Sequence, residues 1–168
     1  PLSRQGDRQL LKVLEQMGAE VLQDGSSVTV TGRELHGIEL GASQIPDTVP
    51  VIATVASVAQ GMTRIYGASR LRLKESDRLL ALREALCSLG ADVRETDDGL
   101  IINGVSKLSG GEVQCFNDHR IAMSMAVAAC ASSGAITLNG AECDSKSYPA
   151  FWKDMQEKLS LEYKELQH

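Results

Sequence analysis

"GDRQLLKVLEQMGAEV" (residues 6–21) and "SDRLLALREALCSLGADV" (residues 76–93) are two versions of one segment, and their likeness decides how the chain is built. Leu14 aligns with Leu86, Gly18 with Gly90 and Val21 with Val93, each pair 72 residues apart. Self-similarity at a fixed period signals a supersecondary unit used more than once. Leu10, Leu14 and Met17 recur at helical spacing, as do Leu79, Leu82, Leu86 and Leu89. Gly18 and Gly90 stand where a left-handed C-terminal cap belongs, so two amphipathic outer helices are predicted.

The likeness continues downstream. Asp24-Gly25 and Asp98-Gly99 mark turns leading into "VTVTG", ending at Gly32, and "LIING", ending at Gly104. Next, "IPDTVPVIATVASVAQGMTRIYG" (45–67) pairs with "FNDHRIAMSMAVAACASSGAITLNG" (116–140). Val51–Ala59 and Ile121–Ala131 are small and apolar nearly all round, as expected of helices inside a domain. Val28–Val30, Arg64–Tyr66, Leu100–Ile102 and Ile136–Leu138 have strand propensity and Gly-bounded ends. The expectation is one α/β domain over residues 1–168, with repeats at about 6–67 and 76–140 and a partial third from about 144, where "DSKSYPAFWKDMQEKL" begins. The interrupted third copy reads as part of a longer array.

Composition excludes several classes. With 43% hydrophobic and 23% charged residues among 168, the chain has ample material for a core. A net charge of −5 and only six aromatic residues (two Phe, three Tyr, one Trp) argue against a nucleic-acid partner. No apolar run reaches membrane-span length, so no membrane association is expected. Cys87, Cys115, Cys130 and Cys143 form no C-x-x-C pair, which fits a reduced, cytoplasmic chain and no structural zinc.

Charge concentrates in "RLRLKESDRLL" (70–80), where Arg70, Arg72, Lys74 and Arg78 surround Glu75 and Asp77. Ser76 or Asp77 suits a helix cap, and Arg72 with Asp77 reads as structural ion pairing. Asp47 in "IPD", and Asn117 or Asp118 in "FND", are placed to cap the two buried helices. Arg120, in the first turn of its helix, opposes the helix dipole and therefore calls for a partner anion.

"RLKESDR", "NDHRIAM" and "CDSKSYP", with "IPD" upstream, in that order, resemble the C-terminal half of the 5-enolpyruvylshikimate-3-phosphate synthase family, from about Gly6 to Leu159. The resemblance implies repeated βαβαββ-type units around buried parallel helices, forming one domain of a two-domain enolpyruvyl transferase. It implies transfer of enolpyruvyl from phosphoenolpyruvate to the 5-hydroxyl of shikimate-3-phosphate, in aromatic amino acid biosynthesis, without metal or cofactor. Asp47 would contact the shikimate hydroxyls and help deprotonate the attacking one, near Lys74. Glu75 would exchange a proton with the phosphoenolpyruvate methylene carbon, and Arg78 and Arg120 would grip the carboxylate. Lys146 would meet phosphate, and His119 would lie beside the site.

Missing from the sequence are the Lys-Ser pair and further arginines of the family's N-terminal domain. The chain is therefore expected to need that domain as a partner and to be inactive alone. Two alternatives stand beside this one: a domain like that of the UDP-N-acetylglucosamine enolpyruvyl transferases, and a non-catalytic α/β interaction module.

Overall fold

Gly18 and Gly90 close two helices in the same way. In the structure, a computed structural model describing residues 8–159, both glycines have positive φ, +105° and +85°. Gly18 N–H donates to Glu15 and Ala19 N–H to Leu14; Gly90 N–H donates to Cys87 and Ala91 N–H to Leu86. These are paired Schellman caps, and each turns the chain into a strand. The periodic Leu positions of the second helix, Leu79, Leu82 and Leu86, are fully buried, as is the following Leu89.

The elements run α1 (Gln9–Gln16), β1 (Glu20–Asp24), β2 (Ser27–Thr31), β3 (Glu39–Gly41), α2 (Val49–Ala56), β4 (Met62–Tyr66), α3 (Arg78–Ser88), β5 (Asp92–Thr96), β6 (Gly99–Asn103), β7 (Gly111–Gln114), α4 (His119–Ala128), β8 (Ile136–Asn139) and α5 (Phe151–Leu159). An α-β-β-β-α-β series thus occurs twice before α5. The pairing repeats as well: β1–β2 and β5–β6 are antiparallel hairpins, whereas β3–β4 and β7–β8 are parallel pairs bridged by α2 and α4.

The sheets do not respect the boundaries of the sequence repeat. One four-stranded sheet, in the order β3-β4-β6-β5, joins the end of the first copy to the start of the second through the antiparallel β4–β6 ladder. Its elements, β3-α2-β4-α3-β5-β6, constitute one βαβαββ unit. Strands β3 and β7, of three and four residues, were not anticipated. Each is too short to show alternation, and pairing with β4 or β8 is what defines it.

The helices sort as their composition requires. Helix α2 buries Val49, Pro50, Ile52, Ala53, Thr54 and Ala56, and α4 buries Ile121, Ala122, Ser124, Met125, Ala126 and Ala128. Small side chains let these two helices pack closely, and the Thr54 hydroxyl reaches the Ser124 carbonyl at 3.5 Å. Val55 and Val127 are partly buried and pack at the edges of the core. A satellite cluster of Ala126, Phe151 and Met155 seats α5 on α4.

Gly104 ends β6 where the backbone passes the loop after α2. A Cβ there would lie 1.5 Å from the Ala59 carbonyl oxygen, whereas one at Gly32, its counterpart in the first copy, meets nothing within 4 Å. Gly104→Ala should therefore cost on the order of 3 kcal/mol through overpacking, and Gly32→Ala less than about 0.5 kcal/mol. Urea denaturation of the two variants checks this, and equal midpoints would contradict it.

Candidate active site

Two helix starts and one short turn build the site. Asp77 has extended backbone geometry and its carboxylate accepts from Leu80 N–H at 3.2 Å, so α3 opens with a side-chain cap. Asp118 does the same for α4, accepting from Arg120 N–H at 3.0 Å. The residues before it, Phe116 and Asn117, both have left-handed φ, 54° and 53°, a costly conformation for Phe that Asn tolerates better. They swing the chain so that Asp118 points down into the protein beneath the first turn of α3.

There it meets Arg78, the first residue of α3, whose side chain is 1% exposed. The guanidinium donates through Nε to Asp118 Oδ2 at 2.7 Å and through Nη2 to Asp118 Oδ1 at 3.3 Å. Its remaining donors reach Asp47 at 3.0 Å and Glu75 at 2.6 Å, and Ser76 adds a hydroxyl to Asp118 at 3.0 Å. Planar, forked donors suit this multiple carboxylate contact, which a lysine could not make.

Asp47 does not cap α2, contrary to expectation. It lies in the 3-10 turn Pro46–Thr48 and makes no capping hydrogen bond. Three cations compete for its carboxylate instead: Lys74 at 3.3 Å, Arg78 at 3.0 Å and Arg120 at 3.4 Å. Arg120 also donates to the Asp47 backbone carbonyl at 2.9 Å. The anion that an arginine in the first turn of α4 calls for is thus Asp47, 73 residues away.

The site residues predicted from sequence fall as follows. Asp47, Lys74, Glu75, Arg78 and Arg120 form one connected cluster. His119 and Arg120 line, with Asp47, a cleft of about 410 Å³ whose apolar wall includes Val51, Met123, Val127 and Phe151. Ser147 and Tyr148 also line it. Lys146 ends the 3-10 segment Ala141–Lys146 just before them, but its side chain lies outside the described residues. Arg70 is exposed. Arg72 is structural, pairing with Asp77 at 2.9 Å and Glu95 at 2.6 Å and donating to the Thr96 carbonyl at 2.8 Å.

Sequence reasoning under-read Asp118 and Ser76. Asp118 was expected only as a cap, yet it is also the buried counter-charge of Arg78. The available signal was Arg78 itself, since a cation in the first turn of a helix needs a local anion.

Burial alone would push the Asp118 carboxyl up. The Arg78 hydrogen bonds and charge, with the Ser76 hydroxyl and the Arg120 amide, outweigh that and hold it below the ordinary carboxylate range. Asp47 is likewise held low: burial works against it, but the charges of Arg120, Lys74 and Arg78 prevail. A carboxyl depressed in the folded state contributes stability above its unfolded pKa, about 3.9, and that contribution fades as pH falls through the folded value. Asp118→Asn should cost about 3 kcal/mol at pH 7 by leaving the buried Arg78 short of one anion. The gap from the parent chain should be constant above roughly pH 5 and shrink below roughly pH 4. Chemical denaturation across pH checks it; a gap that widens in acid would reverse the assignment.

Comparison with known proteins places the chain as a whole. The sequence profile of EPSP synthase (3-phosphoshikimate 1-carboxyvinyltransferase) matches residues 1–155. The chain is 48% identical over 155 residues to a 3-phosphoshikimate 1-carboxyvinyltransferase of Clostridium acetobutylicum, covering 92% of this chain and 36% of that protein. It is 44% identical over 165 residues to the enzyme of that name from Methanocorpusculum labreanum, covering 98% and 39%. Among solved structures, EPSP synthase from Acinetobacter baumannii superposes with a TM-score of 0.79 at 33% identity, over 86% of this chain and 37% of that one. The enolpyruvyl transferase NikO from Streptomyces tendae shares the fold, with a TM-score of 0.72 at 23% identity, over 88% of this chain and 34% of that one. The chain therefore spans a little over a third of the length of these relatives. By the extent of the profile match, it belongs to the EPSP synthase (3-phosphoshikimate 1-carboxyvinyltransferase) family.

Proposed function

We propose that this chain supplies one wall of an enzyme that moves the enolpyruvyl group of phosphoenolpyruvate onto the 5-hydroxyl of shikimate-3-phosphate, within the two-domain enolpyruvyl transferase fold. The observation that carries the reading is the convergence of Asp47, Lys74, Glu75, Arg78 and Arg120 from three separate segments onto one corner beside the cleft. The reaction takes two anionic substrates, forms a bond between the hydroxyl oxygen and the central carbon of phosphoenolpyruvate, and expels phosphate. Cations must hold both partners, one base must take the hydroxyl proton, and one acid must protonate the methylene carbon before giving up that role.

Each requirement has a candidate. Arg120 and Lys74, each about one-third exposed, face the incoming anions. Such positioning converts an encounter of two solutes into a step within one complex, and the same donors favour the charge that develops as phosphate leaves. Asp47 is the base for the hydroxyl. Glu75, 48% exposed and held at one oxygen by Arg78, delivers and removes the proton at the methylene carbon. Arg78 is buried, so it touches substrate only where Glu75 or Asp47 yields one of its N–H groups, and otherwise it orients both carboxylates. Lys146 adds a phosphate contact, and His119 borders the site. The remaining protein, including the family's N-terminal domain, supplies the opposite wall.

Phosphate release in the presence of phosphoenolpyruvate and shikimate-3-phosphate tests this. The purified chain should be inactive alone and gain turnover when joined to an N-terminal portion from the family, with no turnover on UDP-N-acetylglucosamine. In the joined enzyme Glu75→Gln should lower kcat by about 10²–10⁴ with little change in KM. Arg120→Ala should chiefly raise KM for phosphoenolpyruvate. Turnover near the parent level for Glu75→Gln would end its assignment.

A further inference from the structure

Lys74 and Arg120 share one anionic partner. Among the described residues, neither forms an ion pair with any group but the carboxylate of Asp47. Arg78, by contrast, is anchored from below by the buried Asp118 and does not depend on Asp47 for its charge balance. The three cations stand on different elements: Lys74 after the 3-10 turn Ser69–Leu73, Arg78 at the start of α3 and Arg120 in the first turn of α4. Asp47 is 37% exposed and the two cations 33% each, so an anion arriving from solvent meets the same N–H groups that Asp47 holds.

We propose that Asp47 is an internal competitor for the anion-binding cations: an oxyanion of the phosphate or carboxylate class displaces it from Lys74 and Arg120, and the displacement frees Asp47 to act as a base. The proposal deepens the functional reading above and rests on it only for the identity of the natural anion. Its physical content is linkage. Asp47 is held ionised by Arg120, Lys74 and Arg78, and the groups around it also include His119 on the cleft wall and the carboxylates Glu75 and Asp118 beyond Arg78. When an anion takes over two of those three cations, the proton affinity of Asp47 rises by the same free energy by which Asp47 had opposed the anion. Loading the site with its anion and arming the base are then one event. A hydroxyl that arrives without an anion meets a carboxylate whose lone pairs are already engaged.

Inorganic sulfate is the probe, because it stays divalent over the pH range of interest. Binding to the 168-residue chain is followed by amide chemical shifts at pH 7.5 and constant ionic strength. Asp47→Asn should bind sulfate about tenfold more tightly than the parent, the gain expected from releasing two partly exposed ion pairs. Glu75→Gln removes the same charge from the same cluster and should change affinity less than about threefold, since among the described residues Glu75 pairs with Arg78 alone, and that buried guanidinium remains held by Asp118. Adding Arg120→Ala to Asp47→Asn should abolish the gain. Equal tightening by Asp47→Asn and Glu75→Gln would reduce the effect to net charge and overturn the proposal. Unchanged, weaker or undetectable binding by Asp47→Asn would overturn it as well. Should that variant not fold, the parent chain carries the test: the Asp47 carboxyl carbon should titrate at higher pH under saturating sulfate, and an unchanged midpoint overturns the proposal. Failure of the joined enzyme to transfer enolpyruvyl, with these sulfate results intact, would overturn the functional reading alone.

Discussion

A guanidinium with almost no access to water sets the terms for the rest of this protein. Arg78 cannot lose its proton, and a lone buried charge is costly enough that the surrounding structure must answer it. Asp118 gives that answer from below and, in the same position, caps α4. The start of α4 is thereby tied to the start of α3. Asp47 and Glu75, on the upper side of Arg78, take their directions from it while both keep contact with solvent. The charged corner and the junction between the two repeats are therefore one piece of structure.

The repeat itself shows how one pattern is put to two uses. Leu100 and Ile102 on β6 are fully buried beneath α3 and beside β4, while Val28 and Val30, 72 residues earlier on β2, are 48% and 45% exposed. The two hairpins have matching antiparallel pairing and the two preceding helices have matching caps. What differs is the neighbour: β6 has β4 along its edge and β2 does not. Local geometry follows from the sequence of each copy, and burial follows from what stands next to it.

Much of this was legible before any coordinates. The Gly caps, the four strand segments with β-branched residues, the inner placement of the small-residue helices and the meeting of Asp47, Lys74, Glu75, Arg78 and Arg120 all followed from periodicity, turn chemistry or the ordered motifs. The failures have physical causes. Strands β3 and β7 are defined by their partners and carry too few residues for a period. Asp47 has the right type and place for a cap, but three nearby cations outbid the backbone amides of α2 for its oxygens. Arg78 was expected to grip a substrate carboxylate, with no sign of its burial, and its depth depends on Asp118, 40 residues away. The boundaries of the sheet escaped notice because a repeat in sequence has no preferred phase, whereas hydrogen bonding between strands selects one.

Phe116 and Asn117 bring a different consequence. Two consecutive non-glycine residues with φ near +54° and +53° hold a conformation that costs on the order of 1–3 kcal/mol at each such position. Glycine would remove most of that cost, but it would also give the loop before α4 many more shapes to sample when the protein is unfolded and several when it is folded. A bulky ring at this bend limits those choices. The depth at which Asp118 meets Arg78 is consequently a property of a stiff hinge that has few ways to relax. Rigidity of that kind keeps the buried Arg78–Asp118 pair fixed, so that any exchange of partners is confined to the partly exposed pairs around Asp47.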